Sequence, residues 1–169
     1  MKVRRVVTGH DSSGRAVIVA DEEVQEIPLG PGASSWAPWS SDGPASYPDD
    51  GADPPPPKFA FPPVGGFRIG IVRLRADGTE AFDAFVAEAL APLADPERQG
   101  MHKTATTDFD LILSGQVVLE LDDGVETVLR PGDLVVQNGT RHRWINRGDT
   151  DAVWAAFTVG AEHKDAPTF

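Results

Sequence analysis

Short strands separated by turn residues occupy much of the carboxyl-terminal half of this 169-residue chain, and they constrain its fold more than any other feature. Between Gly100 and Val159, β-branched and apolar stretches alternate with turn sequences, and no helical pattern intervenes. The turns fall at Gly115, Asp122-Asp123-Gly124, Pro131-Gly132-Asp133, Asn138-Gly139 and Gly148-Asp149. Consecutive strands without intervening helices pair antiparallel, so this pattern predicts an all-β barrel or sandwich.

The first hundred residues have a different organisation. Two β-branched runs, residues 4–10 and 16–24, are separated by a turn and predict a hairpin. Residues 67–76 alternate apolar and polar side chains, which predicts a half-buried strand. One amphipathic helix follows at about 79–91, with Thr79 as its expected N-cap.

A proline-rich arm, residues 28–63, lies between the hairpin and that strand and holds eleven of the fifteen prolines. Two interpretations are open: a flexible spacer, or an arm that wraps the domain or a partner subunit. Large apolar groups favour the wrapping arm, because a plain linker would not carry Trp36, Trp39, Tyr47, Phe59 and Phe61.

Strand periodicity brings together the side chains that could do chemistry. Successive residues of a strand face opposite sides, so His102 shares a face with Thr104, and Asp108 shares one with Asp110. On a third strand His142 shares a face with Trp144 and Asn146. If these faces turn inward, two imidazoles and one or two carboxylates converge, as in the two-histidine, one-carboxylate set that holds Fe(II). If the aspartates face outward, Phe109, Leu111 and Leu113 point inward instead.

Two segments carry a resemblance to a known family. In residues 100–115, His102 is followed by Thr104, Asp108 and Gly115 at fixed spacing, and residues 131–146 contain Gly132, Gly139, His142 and Asn146. These segments resemble the two signature motifs of the cupin superfamily, which are small jelly-roll barrels. Thr104 stands in the place of the motif's second histidine, Asp108 in the place of its glutamate, and Gln137 in the place of a proline.

The resemblance implies the fold and its organisation. We expect an all-β, cupin-type jelly-roll barrel with an N-terminal extension and one short helix. The extension, residues 1–99, would pack on a barrel core at 100–160, followed by a tail at 161–169, in one structural domain.

The resemblance also implies a metal site and a ligand cavity. The implied ligands of one divalent ion (Fe, Mn, Ni or Zn) are His102, Asp108 and His142, with Gln137 as an extra oxygen donor. Asp110 is the expected catalytic group, which would orient or deprotonate substrate. The expected substrate-binding residues are Trp144, Arg141, Thr104, Trp36 and Trp39. Many cupins, however, bind no metal and use the barrel only as a ligand pocket.

Charge and composition exclude several partners. Fifteen basic residues against twenty-six acidic ones give a net charge of −11, which argues against nucleic acid and anionic membranes. The chain has no cysteine, which fits a reducing cytoplasm. We expect no membrane span, since eighteen apolar residues never run together, and no signal peptide at the amino terminus.

Three functions remain open. The first is a metal-dependent cupin enzyme acting on a small enolic, aromatic or carboxylate-bearing molecule, with a dioxygenase slightly ahead of a decarboxylase, isomerase, lyase or cyclase. The second is a metal-free cupin that binds a small molecule without catalysis. The third is a structural partner that uses the proline-rich arm. The resemblance also implies a homodimer, with the arm as the candidate crossing element.

Overall fold

Eleven strands and one α-helix make up the part of the chain that the computed structural model describes, residues 1–54 and 60–165. The elements in chain order are β1 (Val3–His10), β2 (Ala16–Val24), β3 (Ile27–Pro28), β4 (Ala33–Ser41), β5 (Phe67–Leu74), α1 (Thr79–Ala89), β6 (Thr106–Ser114), β7 (Val117–Glu120), β8 (Glu126–Leu129), β9 (Leu134–Asn138), β10 (Arg143–Ile145) and β11 (Ala152–Gly160). The predicted all-β class is confirmed.

The strands form two facing sheets and a separate hairpin. The larger sheet has the order β3-β4-β5-β11-β6-β9, and the smaller one has the order β10-β7-β8. Every pairing between these strands is antiparallel. Because consecutive strands cross between the two sheets, the arrangement is a jelly-roll barrel, as the sequence predicts.

The core lies between the two sheets. Trp144 on β10 stacks on Trp154 on β11, with ring centroids 5.2 Å apart, so the sheets meet through an aromatic pair. Around this pair lie the other members of the buried apolar cluster: Ala33, Leu74, Phe82, Val86, Ile112, Val117, Leu119, Leu129 and Ala152. Helix α1 joins the core through Phe82 and Val86, whose spacing places both on one helix face.

The proline-rich arm is part of the large sheet over its first third. Strand β4 lies within the arm and pairs with β5 of the same chain. Farther along, Asp49 accepts a backbone hydrogen bond from His10, so this stretch packs on the β1–β2 hairpin. The described part of the arm therefore wraps its own chain. The four prolines Pro54–Pro57 fall partly, and Phe59 wholly, outside the described residues, as do residues 166–169 of the expected tail.

Helix α1 begins one residue earlier than a Thr79 cap would imply. Gly78 is the N-cap, and Thr79 is the first helical residue. The Thr79 hydroxyl is engaged elsewhere: it accepts a hydrogen bond from the Asn146 backbone N–H at 3.0 Å. The expected Thr79 cap is therefore corrected, because its side chain ties the helix to the turn after β10.

No described helix is a membrane span. Helix α1, with eleven residues, is far shorter than the roughly twenty residues that cross a bilayer.

Gly32 and Gly78 allow two backbone segments to touch. A Cβ atom built on Gly32 would lie 2.1 Å from the carbonyl oxygen of Gly78. A Cβ atom built on Gly78 would lie equally close to the carbonyl oxygen of Gly32. The Gly32 carbonyl also accepts a hydrogen bond from Arg75 at 3.0 Å. This contact fixes the start of β4 against the start of α1.

We predict that Gly32→Ala destabilises the protein, because the new methyl group must push two backbones apart. The free energy of unfolding should fall by about 1–3 kcal/mol, the usual cost of overpacking. Urea denaturation of the variant beside Gly43→Ala measures this, since a Cβ atom at Gly43 meets nothing within 4 Å. Equal losses in the two variants would contradict the prediction.

Candidate active site

Two histidines meet where the two sheets come together. The backbones of His102 and His142 exchange hydrogen bonds in both directions, at 3.0 Å and 2.9 Å. Their ring centroids lie 4.4 Å apart, and both residues are buried. His102 precedes β6 and His142 precedes β10, so one short bridge brings one imidazole from each sequence segment to the same place.

Both imidazoles are oriented by backbone carbonyls. Nδ1 of His102 lies 3.0 Å from the Gly100 oxygen, and Nδ1 of His142 lies 2.9 Å from the Thr140 oxygen. A carbonyl can only accept a hydrogen bond, so each neutral ring carries its proton on Nδ1 and keeps a lone pair on Nε2. Burial lowers the pKa of His102, and burial together with the neighbouring His102 lowers the pKa of His142 to about 3. Both rings are therefore neutral at pH 7.

Two carboxyl groups on β6 share the same cavity. Asp108 and Asp110 both point inward, while Phe109, Leu111 and Leu113 are exposed on the other face. Burial, with the charge of Asp108 as a smaller contribution, raises the pKa of Asp110 to about 7. Burial also raises the pKa of Asp108 to about 6, although a hydrogen bond from Thr106 opposes the rise. These two groups titrate close to neutral pH.

Asp108 keeps one oxygen available. No hydrogen-bond partner for its buried Oδ1 occurs among residues 1–54 and 60–165. The Asp108 carboxyl group does accept a hydrogen bond from Thr106. The Thr106 hydroxyl in turn lies 2.6 Å from the Thr104 hydroxyl. Thr104, in the place of the motif's second histidine, therefore contributes to a chain of hydroxyls that ends at Asp108. A buried acceptor without a partner is costly, so Oδ1 is the oxygen of Asp108 that remains free for a further hydrogen bond.

The cavity that holds these groups has a volume of about 550 Å³. Its walls are mostly apolar and come from β4, β5, β11 and α1. Besides the histidines and aspartates, its lining includes Trp39, Phe61, Val72, Phe82, Phe85, Val86, Leu90, Thr104, Trp144, Trp154, Ala156 and Thr158. An apolar cavity of this size with a few convergent polar groups is typical of a small-molecule site.

Of the expected substrate-binding residues, Trp39, Trp144 and Thr104 line the cavity, whereas Trp36 and Arg141 lie elsewhere. Trp36 is buried beneath the guanidinium of Arg73, which lies 5.5 Å from its ring. Arg141 forms ion pairs with Asp95 and Asp122, so its charge is already matched at the surface.

Gln137 is buried but is not part of the cavity lining. Its Oε1 accepts a hydrogen bond from the Thr140 hydroxyl at 2.8 Å, so this oxygen is already engaged. Its Nε2 has no partner among the described residues, and its Cα is paired in register with that of Asp108. Through Thr140, Gln137 supports the loop whose carbonyl orients His142.

The side chains of the cavity supply an incomplete donor set for a metal ion. Within residues 1–54 and 60–165, no three histidine, aspartate or glutamate side chains approach closely enough to hold one ion. The two neutral imidazoles are adjacent, but the Asp108 carboxyl does not join them in such a cluster. The expected ligands therefore provide two nitrogen donors side by side and a carboxyl group that stands apart from them.

Sequence reasoning missed a buried ionic network on the far side of His102. Asp83 on α1 accepts two hydrogen bonds of 3.1 Å from Nε of Arg143. Nη1 of Arg143 donates another hydrogen bond, of 3.2 Å, to Glu120. A Cβ atom on Gly100 would lie 2.0 Å from Asp83 Oδ1, so this network packs directly on the residue whose carbonyl orients His102. Asp83 carried no motif, and its partner is sixty residues away, so no local signal pointed to it.

Comparison with known proteins gives a family match in the carboxyl-terminal half of the chain and two kinds of curated relative. Residues 89–159 match the family model described as the cupin domain. A cupin-domain-containing oxidoreductase, fogC of Aspergillus ruber, is 33% identical over 82 residues, which are 48% of this chain and 40% of that protein. Phomopsin biosynthesis cluster protein D of Diaporthe leptostromiformis is 44% identical over 50 residues, 30% of this chain and 26% of that protein. The chain thus matches less than half the length of each of these curated relatives.

Solved structures give weaker matches over more of the chain. KdgF from Halomonas sp. has a TM-score of 0.49 at 12% identity, covering 83% of this chain and 89% of that one. A sugar phosphate isomerase of the cupin superfamily from Silicibacter pomeroyi has a TM-score of 0.45 at 17% identity, covering 80% and 71%. Both scores are low, so the assignment of the fold rests on the strand pairing described above.

We predict that Asp110→Asn changes how stability depends on pH. The pKa of Asp110 is raised to about 7, so folding favours its neutral form. The stabilisation of the folded state by neutral Asp110 is fully present below about pH 4 and is lost as the pH rises through 7. Between pH 4 and pH 8, the free energy of unfolding should therefore fall more in the wild type than in the variant.

Urea denaturation at both pH values measures the difference. The control is Asp149→Asn, which removes an exposed carboxyl and should follow the wild type. Parallel curves for wild type and Asp110→Asn would contradict the prediction.

Proposed function

Because residues 89–159 match the cupin domain, we propose that this chain is a cupin enzyme that moves protons within a small, largely apolar organic molecule bound in the barrel. One observation carries this proposal: two carboxyl groups and two neutral imidazoles converge in one apolar cavity of about 550 Å³. Acid–base groups held in such a cavity are typical of isomerases, lyases and cyclases.

The two aspartates suit complementary roles. Burial raises the pKa of Asp108 to about 6 and that of Asp110 to about 7, so near neutral pH one carboxyl can be ionised while the other keeps its proton. We assign the base role to Asp108, whose Oδ1 has no hydrogen-bond partner among the described residues, and the acid role to Asp110. The two residues are two positions apart on one strand, a separation of about 7 Å, which suits a fragment in which a carbonyl adjoins a C–H group.

The proton transfer balances without any further reagent. Asp108 takes the proton from the carbon next to a carbonyl, and the C–H electron pair becomes a C=C bond. The carbonyl oxygen receives the proton of Asp110, which gives an enol. The lone pairs on Nε2 of His102 and His142 can accept hydrogen bonds from a substrate hydroxyl, while the tryptophan and phenylalanine walls exclude water.

We predict that the wild type catalyses solvent deuterium exchange into enolisable aromatic ketones. Mass spectrometry of a panel of such ketones in D₂O gives the rate, which should peak between pH 6 and pH 7 because one aspartate must be ionised and the other protonated. Asp110→Asn should slow exchange by about 10²–10⁴-fold, the usual contribution of general acid–base catalysis.

Asp149→Asn is the matched control, since it removes an exposed carboxyl far from the cavity lining. Equal exchange by wild type and Asp110→Asn would defeat the proposal. Ketones that bind, seen as a change in tryptophan fluorescence, but never exchange would favour the non-catalytic binding protein instead.

A metal-dependent oxygenase, including a dioxygenase, is the second candidate. It is favoured by the adjacent imidazoles with free Nε2 atoms and by the unpartnered Asp108 Oδ1. The oxidoreductase name of the Aspergillus ruber relative points the same way. His102, His142 and Asp108 would hold one iron, manganese, nickel or zinc ion, and such an ion supplies Lewis acidity or redox chemistry to a bound enol. This candidate requires Asp108 to move toward the histidines, because the three do not form a cluster as they stand.

Elemental analysis of protein purified without a histidine tag separates the two candidates. The metal-dependent enzyme should contain about one equivalent of metal, and His142→Ala should lose it because the ion loses a nitrogen donor. If the wild type and His142→Ala both lack metal, even after reconstitution with each ion, this candidate is refuted and the proton-transfer enzyme remains.

A further inference from the structure

The turn that orients His102 has glycine at a position that requires it. The Met101 backbone N–H donates a hydrogen bond of 3.0 Å to the Arg98 carbonyl, which closes a turn over residues 98–101. Gly100, the third residue of this turn, has a φ of +83°, the left-handed value that a type II turn needs there. The Gly100 carbonyl lies 3.0 Å from Nδ1 of His102. The position of this turn therefore decides where the acceptor for the His102 proton lies.

Asp83 and Arg143 hold the turn at Gly100. The side chain of Asp83 on α1 is 5% exposed, and a Cβ atom on Gly100 would lie 2.0 Å from its Oδ1. Nε and Nη2 of Arg143 both donate hydrogen bonds to this carboxyl group, so rotating it away from the turn would break them. The same Cβ atom would lie 3.0 Å from Nε of Arg143. The carboxyl group and the guanidinium together form the surface on which Gly100 packs.

Glu120 holds the turn at its first residue. Its carboxyl group accepts a hydrogen bond from Nη2 of Arg98 and another, of 3.2 Å, from Nη1 of Arg143. Glu120 on β7 is paired in register with Arg143 on β10, so both side chains lie on one face of the small sheet. We call Asp83, Arg143, Glu120 and Arg98 the ion network. It joins α1, β7 and β10 to the turn from two directions.

The ion network and the cavity lie on opposite sides of β10. His142 and Trp144 line the cavity, whereas Arg143, which lies between them in the chain, lines a separate polar cleft together with Asp83 and Arg98. The segment that carries one imidazole therefore also holds the turn that orients the other. This arrangement fixes the two rings relative to each other.

We propose that the ion network has a positioning role in the active site: by holding the turn at 98–101, it keeps His102 as the Nδ1–H tautomer with its Nε2 lone pair available in the cavity. Asp83 and Arg143 are outside the lining of the cavity, so they act through Gly100 and not on a substrate. A ring that loses this acceptor can carry its proton on Nε2, where it offers a donor in place of an acceptor. The effect on catalysis rests on the proton-transfer function proposed above, whereas the tautomer is a property of the free protein.

Nitrogen-15 NMR of the full chain at pH 7 tests the positioning role, because protonated and bare ring nitrogens have different chemical shifts. The chain has four histidines, and the signals lost in His102→Gln identify those of His102. In the wild type, Nδ1 of His102 should carry the proton. In Asp83→Ala, the ratio of the Nε2–H to the Nδ1–H tautomer should rise at least about fivefold, the effect of losing one ordinary hydrogen bond.

The matched control is Asp21→Ala. Asp21 accepts hydrogen bonds from Nε and Nη2 of Arg4, the same two atoms that Arg143 uses, but on the separate β1–β2 hairpin. This control should keep the wild-type tautomer. A wild type protonated on Nε2, an unchanged ratio in Asp83→Ala or an equal shift in Asp21→Ala would each overturn the proposal.

A second variant covers the case in which Asp83→Ala fails to fold. The side chain of Arg98 is 39% exposed, so Arg98→Met removes its ion pair with Glu120 at little risk to the fold. The tautomer ratio of His102 should then rise at least about twofold, the effect of a partly exposed ion pair. An unchanged ratio in this variant would also overturn the proposal.

Deuterium exchange into a hydroxyl-bearing aromatic ketone measures the effect on catalysis. Asp83→Ala should lower kcat/KM about five- to tenfold, because the substrate hydroxyl loses an acceptor on His102. A shifted tautomer with an unchanged kcat/KM would refute the role of the ion network in catalysis. A wild type that exchanges no ketone would refute the proton-transfer function instead, and the tautomer ratio would still decide whether the network positions His102.

Discussion

The reciprocal backbone hydrogen bonds between His102 and His142 are the constraint on which the rest of the site depends. They join the segment that leads into the large sheet to the segment that leads into the small one. The two sheets otherwise meet through side-chain packing, above all the stack of Trp144 on Trp154. Since each imidazole is also held by a carbonyl two residues before it, backbone geometry more than side-chain freedom positions both rings. Both imidazoles are therefore held in place by the backbone of the chain itself.

Much of the fold followed from local patterns. The alternation in β6 predicted that Asp108 and Asp110 share a face, and the spacing of apolar residues predicted α1 to within two residues of its end. What sequence could not provide were contacts between distant segments. The Thr79 hydroxyl meets Asn146, Arg141 meets Asp95, and Trp36 lies under Arg73. In each case a partner distant in sequence occupies a side chain that the sequence predicts as a helix cap or a substrate-binding residue. The helix was likewise expected only to pack, yet its apolar face also forms a wall of the cavity.

Buried carboxyl groups occur here in two different settings. On the outer side of His102, Asp83 and Glu120 pair with the guanidinium of Arg143, which opposes the rise that burial causes in the pKa of Asp83. Inside the cavity, no ion pair of Asp108 or Asp110 occurs among the described residues, and desolvation raises the pKa of both. The first setting supports the loop that orients His102. The second leaves two buried carboxyl groups whose raised pKa is unfavourable for stability at alkaline pH.

The tryptophans give the protein an internal optical probe. All four are in the described chain, and three of them, Trp39, Trp144 and Trp154, line the cavity, whereas Trp36 is buried outside it. Trp144 is in contact with Trp154 on one side and lies 5.8 Å from the His142 ring on the other. Two indoles stacked at 5.2 Å couple their electronic transitions, and the coupling depends on their mutual angle. A molecule bound in the cavity would therefore change the light that these tryptophans absorb and emit, without any label.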